Sequence, residues 1–206
     1  MIGGPRGTAL VAAASLLFVQ ERPSLEVRLN DEAPGVPALV VRLRDLTSDR
    51  RFVRAMQSGF PLYVEFHVDV RESRSSWFDR SVATHGWEFV VLHDPVRESF
   101  VAQETANTVE LATERELASY LDRVYVIQQL APQGDGTFYY RVTVTARTLS
   151  DADVDEVFDW LKGQSTDSSA LRSRGLLTRT ARRLLVSVAP LPRMTISENS
   201  PKFTFR

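Results

Sequence analysis

The sequence predicts a mainly β protein, an antiparallel β-sandwich of immunoglobulin-like type with two or three short peripheral helices. Three observations carry this. From residue 24 onward the dominant apolar period is two, the period of strands with one face buried. Two short stretches carry helix-start signals and a third ends on a glycine. At 206 residues, 43% hydrophobic and 25% charged, the chain is long and apolar enough to bury one substantial core and too apolar for a disordered chain.

Taken in order, Leu25 to Leu29 reads as a first strand, and Leu39, Val41 and Leu43 as the buried face of a second. Ser48 to Ser58 is expected to be a helix with Phe52 and Met56 inward, stopped at Gly59. The longest stripe follows: Leu62, Val64, Phe66, Val68 and Val70 share one face, and Trp87, Phe89 and Val91 continue it on the next strand. Ser99 to Thr105 and Val124 to Leu130 are further extended segments. Between the last two comes a helix that opens at Thr113 with Glu116 three residues on, the capping-box spacing. Gly134 to Gly136 (GDG) is expected to turn a hairpin from Val124–Leu130 into the strand of Tyr140, Val142, Val144 and Ala146. A second capped helix is expected from Ser150, with Val154, Val157, Phe158 and Leu161 on one face, and Arg193 to Arg206 is expected to be extended.

The chain begins with an apolar run, Thr8 to Val19, behind the single charge of Arg6, which is the layout of a secretory signal. Twelve helical residues reach only about 18 Å at 1.5 Å each, short of a bilayer core of roughly 30 Å, so an ordinary spanning helix is disfavoured. Leu16, Leu17 and Phe18 follow the small residues Ala12 to Ser15, which leaves an uncleaved anchor or a buried first helix as alternatives to a cleaved signal. The organisation expected is an apolar segment at 1–24, a sandwich domain at 25–163, and a basic C-terminal helix with a final strand at 164–206. Charge follows those divisions. Residues 1–162 carry 17 Lys and Arg against 24 Asp and Glu, and residues 163–206 carry 8 against 2. Cysteine is absent, which excludes disulfides, thiolate metal sites and a cysteine nucleophile.

Over roughly residues 38 to 163 the sequence resembles a bacterial envelope family, domain of unknown function 4390. The resemblance rests on LRDLTSDRRFVRAMQSGFPLYVEFHVDV, on WFDR at Trp77 to Arg80, on WEFVVLHDP at Trp87 to Pro95 and on the SDADVDEVFDWL helix. It implies an exported, mostly β domain behind a signal segment, and it brings no catalytic residue with it.

Chemistry is sparse. Glu65, His67 and Asp69 alternate along one strand. Two of them could share a metal at about 6.6 Å spacing, but Glu65 and Asp69 would lie about 13 Å apart. His93 is in phase with the core face, and His85 sits beside the same strand. Tyr63 and Arg71 extend the row to five alternating positions, so a solvated sheet face is expected, with no catalytic, metal or cofactor site. DADVDE at Asp151 to Glu156 opens like a calcium loop, but has Glu156 where the turn needs glycine and Lys162 where a bidentate glutamate belongs. The tail at Ser169 to Val188 sets Leu177, Ala181, Leu184, Leu185 and Val188 at helical spacing, with Arg172, Arg174, Arg179, Arg182 and Arg183 mostly off that stripe, which suits either a helix lying on anionic lipid or an acidic partner, or a helix docked on the acidic body that neutralises its arginines.

The function expected is therefore non-catalytic: an exported subunit, extrinsic to the membrane, that scaffolds an integral membrane protein complex at the periplasmic face of a bacterial membrane. A photosynthetic reaction-centre and light-harvesting assembly is an example. Leu16, Leu17, Phe18 and the five tail arginines would supply membrane or partner contacts, with no nucleic acid involved. The alternatives are an envelope metal-binding protein or enzyme using Glu65, His67 and Asp69, and a periplasmic ligand carrier.

Overall fold

A computed structural model of the chain describes residues 22–30, 36–75, 78–128, 130, 132, 134–149 and 191–205. Among these residues ten strands form two antiparallel sheets, and two α-helices pack against strands of the larger one. The three-stranded sheet has β1 (Ser24–Asn30), β2 (Ala38–Arg44) and β7 (Val124–Ile127) in that spatial order. The seven-stranded sheet is built on β3 (Leu62–Glu72), flanked by β4 (Arg80–Asp94) and β8 (Gly136–Thr148). Beyond β4 come β5 (Ser99–Glu104) and β6 (Thr108–Leu111). Along the other edge of β8 lie β9 (Arg193–Asn199) and β10 (Phe203–Phe205), end to end.

The period-two stripe does what it predicts. Leu62, Val64, Phe66, Val68 and Val70 are all fully buried on the face turned to the smaller sheet, with Val142, Val144 and Ala146 of β8 beside them. Leu39, Val41 and Leu43 oppose them from β2. Each buried aliphatic side chain contributes on the order of 1.5–3 kcal/mol of transfer free energy. Of the residues of the other parity, Glu65 and His67 are exposed on the far face, and Asp69 and Arg71 are partly so.

Helix α1 (Arg50–Gln57) starts where Asp49 accepts the Arg51 amide N–H at 3.1 Å. It ends at Gly59, whose φ of 89° only glycine adopts without strain, with the Gly59 N–H donating to the Met56 carbonyl. Phe52 and Met56 are buried beneath it, as expected. Helix α2 (Glu114–Leu121) is capped by Thr113, and the Glu116 carboxylate accepts the Ala112 N–H at 2.8 Å.

The GDG segment does not turn a hairpin. Strand β7 pairs with β2 in one sheet and β8 pairs with β3 in the other, so the chain changes sheets there, and Gly134, with φ 85°, serves a crossing loop. The four residues of β7 cannot match the thirteen of β8, and their partly buried face, Tyr125 and Ile127, faces the opposite sheet. Strand β6 was not anticipated, because four residues are too few to set a period. The helix expected from Ser150 lies outside the described residues.

Register fixes which ends coincide. Arg42 of β2 bonds the Asp122 carboxylate at 2.6 Å, the adjacent Arg123 bonds Glu104, and Glu104 pairs with Phe89, which pairs with Val64 near the start of β3. Arg44, and Ser24 paired with it, therefore lie at the end of the sandwich where β3 begins. The last residues of β8 are at that same end. The Leu149 N–H donates to the Pro61 carbonyl at 2.8 Å and the Thr148 N–H to the Pro192 carbonyl at 3.1 Å. The β3–β4 hairpin tip, with Phe78 96% exposed, is at the opposite end.

Candidate functional site

The alternating row on β3 lies across the outer face of the larger sheet. Glu65 stands directly opposite Glu88 on β4 and Thr145 on β8, and His67 opposite Gly86 and Thr143. Asp69 accepts hydrogen bonds from the Ser81 hydroxyl and from Arg71, the latter at 3.3 Å. His85 and His93 project to the other face: His85 is paired with Val68, and His93 packs on the Phe100 ring at 5.0 Å. The three histidines are thus not brought together. Among the described residues no group of three or more His, Asp or Glu is placed to hold a metal ion.

The row is not solvated throughout, and Tyr63 departs from expectation. It is buried against Val90 and Leu149, with the Arg147 guanidinium 4.9 Å from its ring centre and its hydroxyl donating to Glu88. Burial, with that bond to a carboxylate, pushes its pKa well above the usual tyrosine value. The apolar partners are distant in sequence, which is why alternation alone assigned Tyr63 to solvent.

A denser cluster lies on the other face, where β4 and β7 meet across the sandwich. Phe66 and Trp87 stack at 4.6 Å with their planes 10° apart, and Tyr125 leans on both at 5.0 and 5.2 Å. Arg123, between α2 and β7, sets its guanidinium 4.0 Å from the Tyr120 ring centre, 4.7 Å from Tyr125 and 5.5 Å from Phe89. The same guanidinium donates to Glu104, which also accepts the Tyr120 hydroxyl at 2.7 Å. Burial works to raise the Glu104 pKa, but these donors outweigh it and hold the carboxyl below its ordinary range. The indole N–H of Trp87 and the hydroxyl of Tyr125 are neighbours. Both are buried, and neither makes a well-aligned hydrogen bond.

Chemically this is a rigid aromatic and cationic cluster whose charges are spent on each other. Sequence reading passed over it, although DRVYVI held a signal: Arg123, Tyr125 and Ile127 share one strand phase, which aims a charge into an aromatic core. On the opposite face of the small sheet, Val124 and Val126 are about half exposed. The residues expected to contact membrane or partner, Leu16, Leu17, Phe18, Arg172, Arg174, Arg179, Arg182 and Arg183, lie outside the described residues. No described helix is long and apolar enough to cross a membrane.

Among the described residues, fold and surface together define a two-sheet antiparallel sandwich with two short helices packed against it. The chain belongs to the family of domain of unknown function DUF4390, whose model matches residues 40–150. No curated protein and no solved structure matches the chain.

Proposed function

We propose that this chain is a non-catalytic scaffold or interaction subunit, exported and held extrinsically at the periplasmic face of a bacterial membrane as part of an integral membrane protein complex. The observation that carries the reading is the shared end of the sandwich. Strand β1 begins there at Ser24, and the excursion between Leu149 and Pro192 leaves and returns there. The two segments whose sequences suit a membrane surface, residues 8–19 and the arginines of 172–183, are therefore joined to the body at one end. That leaves the sides and the hairpin end at Phe78 for protein contact.

A filled interior supports an interaction role over a carrier role. Phe66, Val64, Val68, Leu39 and Val41 are fully buried between the sheets. A bacterial photosynthetic reaction-centre and light-harvesting assembly is a concrete instance of a complex that such a subunit would brace. The test is to solubilise native membranes in mild detergent and run a native gel. The chain is expected to migrate with an integral complex. Recovery wholly as free soluble protein at low salt, with no co-migrating partner, would sink the reading.

A further inference from the structure

The larger sheet has a step in it. Strand β4 is fifteen residues long, but β5 pairs only with Phe89–Asp94, so Arg80–Glu88 is hydrogen-bonded to β3 on one side and to no described strand on the other. A bulge at Val82, between the Val70–Ala83 and Arg71–Ser81 pairs, blunts the first part of this edge. The regular remainder, Ala83–Glu88, is about 20 Å long at 3.4 Å per residue and turns the N–H and C=O of every second residue outward. Thr84, His85 and Gly86 within it are exposed. In the facing sheet β7 is also an edge strand among the described residues, and the Trp87 and Tyr125 rings, 5.2 Å apart, fill the gap between the two edges.

We propose that the Ala83–Glu88 edge is a strand-addition site for an extended segment of a partner protein. One face of that segment would carry apolar or aromatic side chains, laid against His85 and Trp87 on the inward side of the edge. A row of outward backbone donors and acceptors is matched by another extended backbone, and alternate side chains then supply specificity. A second copy of the chain fits less well. A six-residue ladder, ended on one side by the bulge, buries far less than the roughly 1,200 Å² of a stable pair of folded proteins. A short segment suffices where both partners are confined to one membrane, because confinement raises the effective concentration. The identity of the partner rests on the scaffold reading; strand addition itself does not, and it is tested in solution.

The probe is a random dodecapeptide library panned on the purified full chain carrying W77F and W160F, which leaves Trp87 as the remaining tryptophan of three. Enriched peptides are expected to alternate apolar residues, shift Trp87 emission, and slow amide exchange at 83–88 by about tenfold or more. His85→Lys puts a charge on the inward face of the edge at an exposed position and is expected to weaken binding at least about tenfold, the equivalent of 1.4 kcal/mol. Thr84→Pro is the second variant, in case His85→Lys reduces folding, and Val96→Lys at the far turn is expected to change nothing. Enriched peptides that leave amides 83–88 unprotected, or no enrichment, would overturn the proposal. So would full protection of 83–88 in the peptide-free chain, either as a dimer by sedimentation, which assigns the edge to a second copy, or as a monomer, which assigns it to the chain itself. A membrane-bound chain that takes up no strand would fail this test alone and leave the scaffold reading intact.

Discussion

Phe66 and His67 are neighbours in sequence with opposite situations, and each makes a prediction. Phe66 is fully buried, stacked on Trp87 and tilted against Tyr125. Truncation to alanine removes its dispersion contacts and leaves a cavity between rigid rings, at a cost of about 3–5 kcal/mol, read as a lowered denaturant midpoint. His67 is exposed, facing Gly86 and Thr143 across the outer surface. His67→Ala is expected to shift stability by less than about 1 kcal/mol. Stoichiometric zinc in the purified wild type that disappears in this variant would reverse that reading. Alternation made this pair legible, since a strand has only two faces and one is filled with Val64, Phe66 and Val68. It could not make Tyr63 legible, because the tyrosine is buried by Val90 and Leu149, which reach it through β-pairing and chain return rather than local pattern.

Among the elements, those with their own punctuation were legible from the sequence: α1 between Asp49 and Gly59, α2 behind Thr113, and the long strands β3, β4 and β8. Partnership was less so. GDG is a hairpin signal, yet strands β7 and β8 belong to different sheets, and nothing local records which sheet a four-residue strand joins. The same limit hid the Arg123 cluster, in which the end of α2, the end of β5 and the start of β7 meet through Glu104. That contact carries a pH dependence. The folded-state pKa of Glu104 is lowered, so its stabilising contribution is fully present above the unfolded carboxylate value of about 4.3 and is lost as pH falls through the lower folded value. Denaturant midpoints measured across the acid range are expected to fall there, and Glu104→Gln is expected to flatten that part of the decline. An unchanged acid limb in the variant would mean that the Arg123–Glu104 pair is too solvent-screened to matter.

At the scale of the whole molecule, composition and topology bear on the same question. The body is acidic and residues 163–206 are basic, a division that a self-contained sandwich does not require. Because Ser24 and the Leu149–Pro192 excursion share one end, an apolar segment at 8–19 and an arginine-rich segment at 172–183 can act on one surface without straining the body between them. A single short apolar segment gives marginal anchoring, and each arginine near anionic lipid adds only about 1 kcal/mol, which salt screens. Affinity should then be divided between the two, and the halves separate experimentally. Washing native membranes in rising salt is expected to release part of the wild-type chain. The variant with Arg179, Arg182 and Arg183 all changed to Gln should leave at distinctly lower salt, because the screened half of its affinity is already gone. Immunoblots of pellet and supernatant read the outcome. Identical release curves for the two proteins would mean that the arginines are neutralised within the chain by its acidic body, and the apolar segment or a protein partner would have to hold it unaided.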